Sequence, residues 1–245
     1  MPRKPQTESV SDLNAAPGGA AAVDRALSLL AAFQPGDDAL SLGDFAARTQ
    51  LYKSTVLRLL ASLEHAALIR RLDDGRYALG AEIARLHGLY AAAFSLDQVV
   101  LPVLRDLVGA TGESAAYHVK QGHGADAVRV CLYRVDSPHP IRDHIKAGDV
   151  LPLDQGTGGR VLTAFDPQSP AAIGKEKALY ARIRKDGYFS SVGDRLADVA
   201  GISAPVLDAR GGLAAAVTLT MPAHRYDRAY IAQVLAAANQ LNGRV

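Results

Sequence analysis

Lys53, Ser54, Thr55, Arg58 and Ser62 put hydroxyl and cationic groups at helical spacing within one short stretch, and Arg70, Arg71 and Arg76 follow closely around Asp73-Asp74-Gly75. Groups of these kinds hydrogen-bond to base edges and pair with phosphates, so the chemistry they offer is recognition of a nucleic acid. A second stretch, Asp154-Gln155-Gly156-Thr157-Gly158-Gly159-Arg160, opens a helix. Its glycines let the backbone approach a ligand closely, and the free N–H groups of a helix start attract an anion. It lacks the Gly-Lys-Ser/Thr ending of a nucleotide-binding loop. Read by itself, such a loop serves equally well as a tight connection.

Bond-making chemistry finds less support. Cys131 lies mid-strand between Val130 and Leu132, where a thiol is expected to be buried and inert; a nucleophile needs a base and an electropositive, exposed setting. His118 and His123 flank a turn, and two readings stand: a metal pair, or structural and solvated side chains. No third ligand has convincing spacing. Glu113, Asp126, Asp136 and Asp143 form no evident acid–base pair. The sequence therefore predicts neither enzyme activity, nor a metal, nor a cofactor.

Each polar cluster needs elements to hold it. Ser41 and Asp44 have the spacing of a capping box for a helix carrying Leu42, Phe45, Ala46 and Thr49. After a turn, Val56, Leu59, Leu60 and Leu63 repeat at i, i+3, i+4 and i+7, leaving Ser54, Thr55, Arg58 and Ser62 on the opposite face. Asp-Gly between apolar runs predicts a hairpin carrying the three arginines. A preceding helix over Val23–Phe33, with Val23, Ala26, Leu27, Leu30 and Phe33 as its inner face, is expected to back this pair, and Pro35-Gly36-Asp37-Asp38 stops it. Two helices, a tight turn and a basic wing form the arrangement that places a recognition helix in the major groove.

The rest of the chain reads differently. Gly80–Phe94 is a helix with Ile83, Leu86, Leu89 and Tyr90 as an apolar stripe, which either packs within the chain or meets a second copy. Leu96–Val108 is helical with Pro102 inside, which must kink or break it. Strands are expected at Ala115–Lys120 and Val128–Val135, a third over Ile141–Lys146, and two more at Val199–Leu207 and Leu213–Thr220. Helices are expected at Val161–Phe165, Lys175–Lys185 and Tyr226–Leu241. Helices around an antiparallel sheet make an α+β layout.

With 245 residues, 49% hydrophobic and 21% charged, the chain can bury proper cores. The net charge of +2 does not announce a nucleic-acid binder, yet from Arg48 to Arg76 cations outnumber anions six to three. So few cations imply weak binding by one copy and hence a homo-oligomer spanning two half-sites. The lone cysteine fits a reducing, cytoplasmic setting, no apolar run reaches bilayer-spanning length, and Met1–Gly19 reads as a disordered arm without a signal-peptide core.

Three runs, Val23-Asp24-Arg25-Ala26-Leu27-Ser28-Leu29-Leu30, Lys53-Ser54-Thr55-Val56-Leu57-Arg58-Leu59-Leu60 and Gly75-Arg76-Tyr77-Ala78-Leu79-Gly80, resemble the IclR family of bacterial transcriptional regulators. The resemblance spans about residues 21 to 243. Beyond the disordered arm over 1–20 that composition predicts, it implies a winged helix-turn-helix over 21–80, a linker helix over 81–95 and a GAF-like effector-binding domain with a curved antiparallel sheet over 96–245. It also implies a ligand-responsive regulator of a catabolic operon, repressor or activator, that binds double-stranded operator DNA as a dimer or dimer of dimers and senses a small organic or aromatic acid. The DNA-contacting residues would be Lys53, Ser54, Thr55, Arg58, Ser62, Arg70, Arg71 and Arg76. Family pocket positions fall on Thr157, Gly158, Ser191, Gly201, Thr218 and Thr220.

The chain departs from the family pattern at several of these places. Gln50 stands for the usual Gly, Tyr52 for Pro, Leu57 for a polar residue, Arg160 for the loop Lys, Gly156-Thr157 for Thr-Ala, Asp194 for Glu and Asp198 for Gly. These changes keep the pocket's place and leave its ligand and the bases read open. The alternatives are a small-molecule enzyme or a protein-interaction module with a winged-helix cap.

Overall fold

The computed structural model describes residues 9–13, 15–34, 36–94, 96–122, 127–169 and 173–245. The chain divides into two compact units, Met1–Phe94 and Ser95–Val245.

The first unit is built on α2 (Ala21–Ala31), α3 (Leu42–Thr49) and α4 (Lys53–His65), preceded by the single turn α1 (Val10–Leu13). Its wing is β1 (Ile69–Arg71) paired antiparallel with β2 (Tyr77–Leu79), with Ile69 opposite Leu79. The predicted capping box is present: the Ser41 hydroxyl accepts from the Asp44 amide at 3.2 Å, and the Asp44 carboxylate accepts from the Ser41 amide at 2.8 Å. Leu40 exchanges two 2.8 Å backbone hydrogen bonds with Tyr77 and so ties α3 to the wing. Between these elements Leu29, Phe45, Val56, Leu60 and Ile69 are fully buried, and Phe45 sits edge-on between Phe33 and Tyr77 with centroids 5.6 and 6.2 Å away. Burying such side chains is worth about 1.5–3 kcal/mol each.

The structure corrects the expected inner face of α2. Val23 and Leu27 are exposed, whereas Leu29, left off that face, has no exposure at all; packing onto α3 and α4 rotates the helix away from the face its periodicity suggested. The N-terminal arm is also less free than expected, because Asp12 on α1 accepts two hydrogen bonds from Arg25 at 3.0 and 2.7 Å. The unit ends with α5 (Ala81–Phe94), on which Leu86, Leu89 and Tyr90 are exposed.

The second unit wraps helices around a six-stranded sheet. In chain order it contains α6 (Leu96–Thr111), β3 (Ser114–Gln121), β4 (Val128–Val135), β5 (Val150–Pro152), α7 (Thr157–Phe165), α8 (Lys175–Asp186), β6 (Phe189–Val192), β7 (Val199–Leu207), β8 (Leu213–Pro222) and α9 (Tyr230–Leu241). The strand order is β5-β4-β3-β8-β7-β6, antiparallel throughout. The period of two along each strand sorts the faces. Tyr117, Ile202, Ala204, Val217, Leu219 and Met221 join α6 and α9 in the main core. Ala216 faces the other way, onto α7 and α8, where Val161, Leu162, Tyr180 and Ile183 are buried. His118, Gly201, Ser203, Thr218 and Thr220 share this second face by their register across the pairs.

Three expectations are revised. No strand forms over 141–146; there Asp143 pairs with Arg134, the Ile141 carbonyl accepts from Arg225 at 3.0 Å, and Ile145 is buried against Ala116 and Cys131. The edge next to β4 is filled instead by β5, with Val150 opposite Val130. Of the two outcomes expected at Pro102, a kink or a break, the break does not occur, since proline removes only one amide donor and the helix continues to Thr111. The strand β6 carries no long period-two run, and α9 begins at Tyr230, after a 3-10 turn at Ala223–Arg225.

Candidate nucleic-acid interface and ligand cavity

On α4, Val56, Leu60 and Leu63 are held in the core, which turns Lys53, Ser54, Arg58 and Ser62 out to solvent and leaves Thr55 half-buried. Arg70, Arg71 and Arg76 are exposed on the wing. The eight predicted contacts thus lie on one helix and the adjacent hairpin, though their cations differ in how free they are. Arg76 pairs with Asp74 at 2.7 Å, and Arg71 lies over the Tyr77 ring at 5.8 Å. Arg48 is held by Asp37 and by the Ala32 carbonyl at 2.8 Å, which makes it a strut of the fold. Lys53, Arg58 and Arg70 have no carboxylate within ion-pair distance among the described residues.

Three departures acquire a physical meaning here. Gln50 ends α3 at φ 61°, a left-handed conformation that glycine adopts without strain and a side chain does not. Tyr52 proves to be the N-cap of α4, one residue before its first helical residue, and gives no side-chain cap. Leu57, absent from the expected polar face, is 46% exposed in its middle, which offers an apolar surface suited to a thymine methyl.

The second cluster surrounds the start of α7. Gly156 precedes it at φ 75°, and its amide donates to the Asp194 carboxylate at 2.6 Å. Asp194 also accepts from Arg160 at 3.4 Å, and Arg160 reaches Glu176 and Tyr180 at 3.2 and 3.3 Å. Below the helix, Ser203 donates to Thr157 at 2.8 Å and shares a hydrogen bond with Thr218 at 2.8 Å. Beside them lies a small cleft, about 30 Å³ in volume and partly open to solvent. Among its walls are Thr157, Ser191, Gly201, Thr218 and Thr220. Gly158, the remaining predicted position, adjoins it, for a Cβ there would lie 2.8 Å from the Thr218 hydroxyl and 2.9 Å from Arg129.

The cavity also holds residues that the sequence reading did not assign to it: His118, Arg129, Ile145 and Arg195. His118 is 1% exposed with neither ring nitrogen hydrogen-bonded. Burial first, then the nearby charges of Arg129, Arg134 and Arg195, hold its pKa well below the usual value, so the ring is neutral. Arg129 is 2% exposed; burial and Arg195 lower its pKa to about 10, which still leaves it a cation at neutral pH. The available signal was parity: Arg129 and Cys131 occupy alternate, buried positions of β4. Cys131 is fully buried and its thiol is pushed up to about 12 by that burial, which makes it unreactive. His123 and Asp126 lie outside the described residues, and no metal-holding group of His, Cys, Asp and Glu occurs among the described ones.

Comparison with known proteins agrees with this layout. Residues 22–73 match the model for the IclR helix-turn-helix domain, and residues 176–243 match that for the C-terminal domain of the bacterial transcriptional regulator IclR. The chain is 29% identical to the glycerol operon regulatory protein of Streptomyces coelicolor over 84% of this chain and 86% of that one. It is 24% identical to the transcriptional repressor IclR of Escherichia coli over 68% and 61%. Two solved structures share the fold: an IclR homologue from Microbacterium hydrocarbonoxydans complexed with 4-hydroxybenzoate, at TM-score 0.76 and 20% identity over 91% of this chain and 98% of that one, and an IclR transcriptional regulator from Alicyclobacillus acidocaldarius, at TM-score 0.76 and 18% identity over 91% and 96%. With a helix-turn-helix at one end, an α+β unit at the other and both matched by the two family models, the chain belongs to the IclR family of transcriptional regulators.

Proposed function

We propose that this regulator binds operator DNA through α4 and the wing, and that a small organic acid in the cavity beside α7 controls it. In this reading Lys53, Ser54, Thr55, Arg58 and Ser62 enter the major groove, while Arg70, Arg71 and Arg76 reach phosphates or the minor groove. Thr157, Gly158, Ser191, Gly201, Thr218 and Thr220 surround the effector, with the first amides of α7 available to a carboxylate. The observation that carries it is the pairing of two features in one chain: a solvent-facing helix whose Arg58 is unpaired among the described residues, and a cleft lined by hydroxyls at the start of another helix. The 4-hydroxybenzoate held by the Microbacterium homologue supports an aromatic acid as one form of effector.

Association completes the reading. Exposed Val23 and Leu27 on α2, and Leu86, Leu89 and Tyr90 on α5, are apolar surface that a second copy would cover, and two copies double a cationic footprint too small to hold DNA alone. The Ala81–Phe94 helix is then the linker between the DNA-binding domain and the effector-binding domain, and the protein works in the cytoplasm as a dimer or dimer of dimers. The effector acts only through a difference in its affinity for the DNA-binding and non-binding arrangements.

The test is Arg58→Ala in the full chain. It is expected to weaken binding to the protein's own upstream DNA by about 10- to 100-fold, as loss of a base or phosphate contact does, while affinity for the acid stays unchanged. Retained DNA binding in a mobility-shift assay would refute the assignment of α4, and would favour a protein partner for the winged helix.

A further inference from the structure

Among the described residues Arg129 is a buried cation with no carboxylate within ion-pair distance. Its only hydrogen bond among them runs from Nε to the Pro152 carbonyl at 3.2 Å. The other arginines near it are answered: Arg134 by Asp136 and Asp143, Arg160 by Asp194 and Glu176, Arg195 by Asp143 at 3.7 Å. Asp194 serves the Gly156 amide and Arg160, not Arg129. A buried charge left in this state is strongly unfavourable, and natural proteins retain one where something else neutralises it.

The geometry shows where that neutralising group belongs. A Cβ at Gly156 would lie 2.9 Å from Arg129 Nη2, and one at Gly158 would lie 2.9 Å from Arg129 Nη1, 2.8 Å from Thr218 Oγ1 and 3.5 Å from His118 Nδ1. The guanidinium therefore spreads beneath the first turn of α7, where glycines alone leave room for it, and it adds a full charge to the partial positive charge of the helix start. His118, buried with both ring nitrogens unpartnered, faces the same spot. A cation, a helix N-terminus, a hydroxyl and an unsatisfied imidazole converge on one end of the cavity.

Resting on the reading of this cavity as the effector site, we infer that Arg129 and His118 anchor the effector's anionic group, so that the ligand must carry a negative charge and a neutral polyol is excluded. Arg129 supplies the charge and a two-pronged donor suited to a carboxylate or a phosphate monoester. His118 supplies a further hydrogen bond, and the incoming negative charge draws a proton onto its ring. Ligand binding is thereby coupled to proton uptake. The groups that face His118 are Arg129, Arg134 and Arg195, with Cys131 opposite it on β4, while Asp143 and Asp194 partly offset the arginines.

The experiment is calorimetry and thermal unfolding on the full-length protein, with 4-hydroxybenzoate, pyruvate and glycerol 3-phosphate as anionic probes and glycerol as the neutral one. Wild type should bind at least one anion and not glycerol, and the anion that binds separates a carboxylate from a phosphate effector. Arg129→Met should weaken that binding by about tenfold or more while the melting temperature of the ligand-free protein stays level or rises, because an uncompensated charge has gone. Arg129→Lys, which keeps the charge, should recover part of the affinity. His118→Gln should abolish the proton uptake measured in two buffers of different ionisation heat. Anion binding that survives Arg129→Met, or a sharp fall in that variant's ligand-free melting temperature, would overturn the inference and leave the effector reading standing, whereas binding of glycerol in preference to the anions would overturn both the inference and the choice of an acid as effector. A wild type that takes none of the four probes would end both.

Discussion

Arginine does opposite things in the two units. In the first, Arg58 and Arg70 stand in solvent, where a charge is cheap to maintain and adds one step of counterion release for whatever phosphate it meets. In the second, Arg129 is buried in a sheet face, where water no longer screens it and only a matched anion satisfies it. Exposed cations give an affinity spread along a polyanion and sensitive to salt. On the proposed reading the buried Arg129 gives discrimination among small anions, so that both properties come from the same residue type by a difference in burial.

If the two units are separate in their packing as well as in their chemistry, damage to one core should leave the other working. Phe45→Ala removes the ring between Phe33 and Tyr77 and should cost about 3–5 kcal/mol. DNA binding should vanish while calorimetric binding of the acid persists. Loss of both together would break the comparison.

What was legible in the sequence follows the range of the forces involved. The Ser41–Asp44 box, the Asp74-Gly75 hairpin and the Val56, Leu60 and Leu63 stripe depend on neighbours within a turn or two, and they were readable. The rotation of α2 that buries Leu29 and exposes Val23 is decided by elements far along the chain. So is the loop over 141–146, whose Asp143 answers an arginine on β4. The pocket positions came from resemblance, whereas Arg129 was hidden because a strand arginine normally turns to solvent, and only the fold shows α7 closing over it.

Smaller effects sharpen the picture. Gln50→Gly relieves a side chain held at φ 61° at the end of α3 and should stabilise the first unit by about 1 kcal/mol, read from its denaturant midpoint; a loss of stability would show that Gln50 makes a compensating contact. His118 gives the gentlest signal. Its folded pKa lies well below 6.5, so the unfolded chain binds a proton there that the folded one refuses. The stability tied to its neutrality is therefore complete above about pH 6.5 and is lost as the pH falls below it. His118→Gln should flatten that decline in melting temperature between about pH 7 and 5, and an unchanged slope would put the burden on other groups.

The most direct measurement is fluorescence anisotropy of the protein's own promoter fragment, titrated at low ionic strength with and without the acid that calorimetry identifies. The account predicts binding that weakens steeply with added salt and a midpoint that the acid displaces. No binding under either condition, or a midpoint indifferent to the ligand, would contradict it.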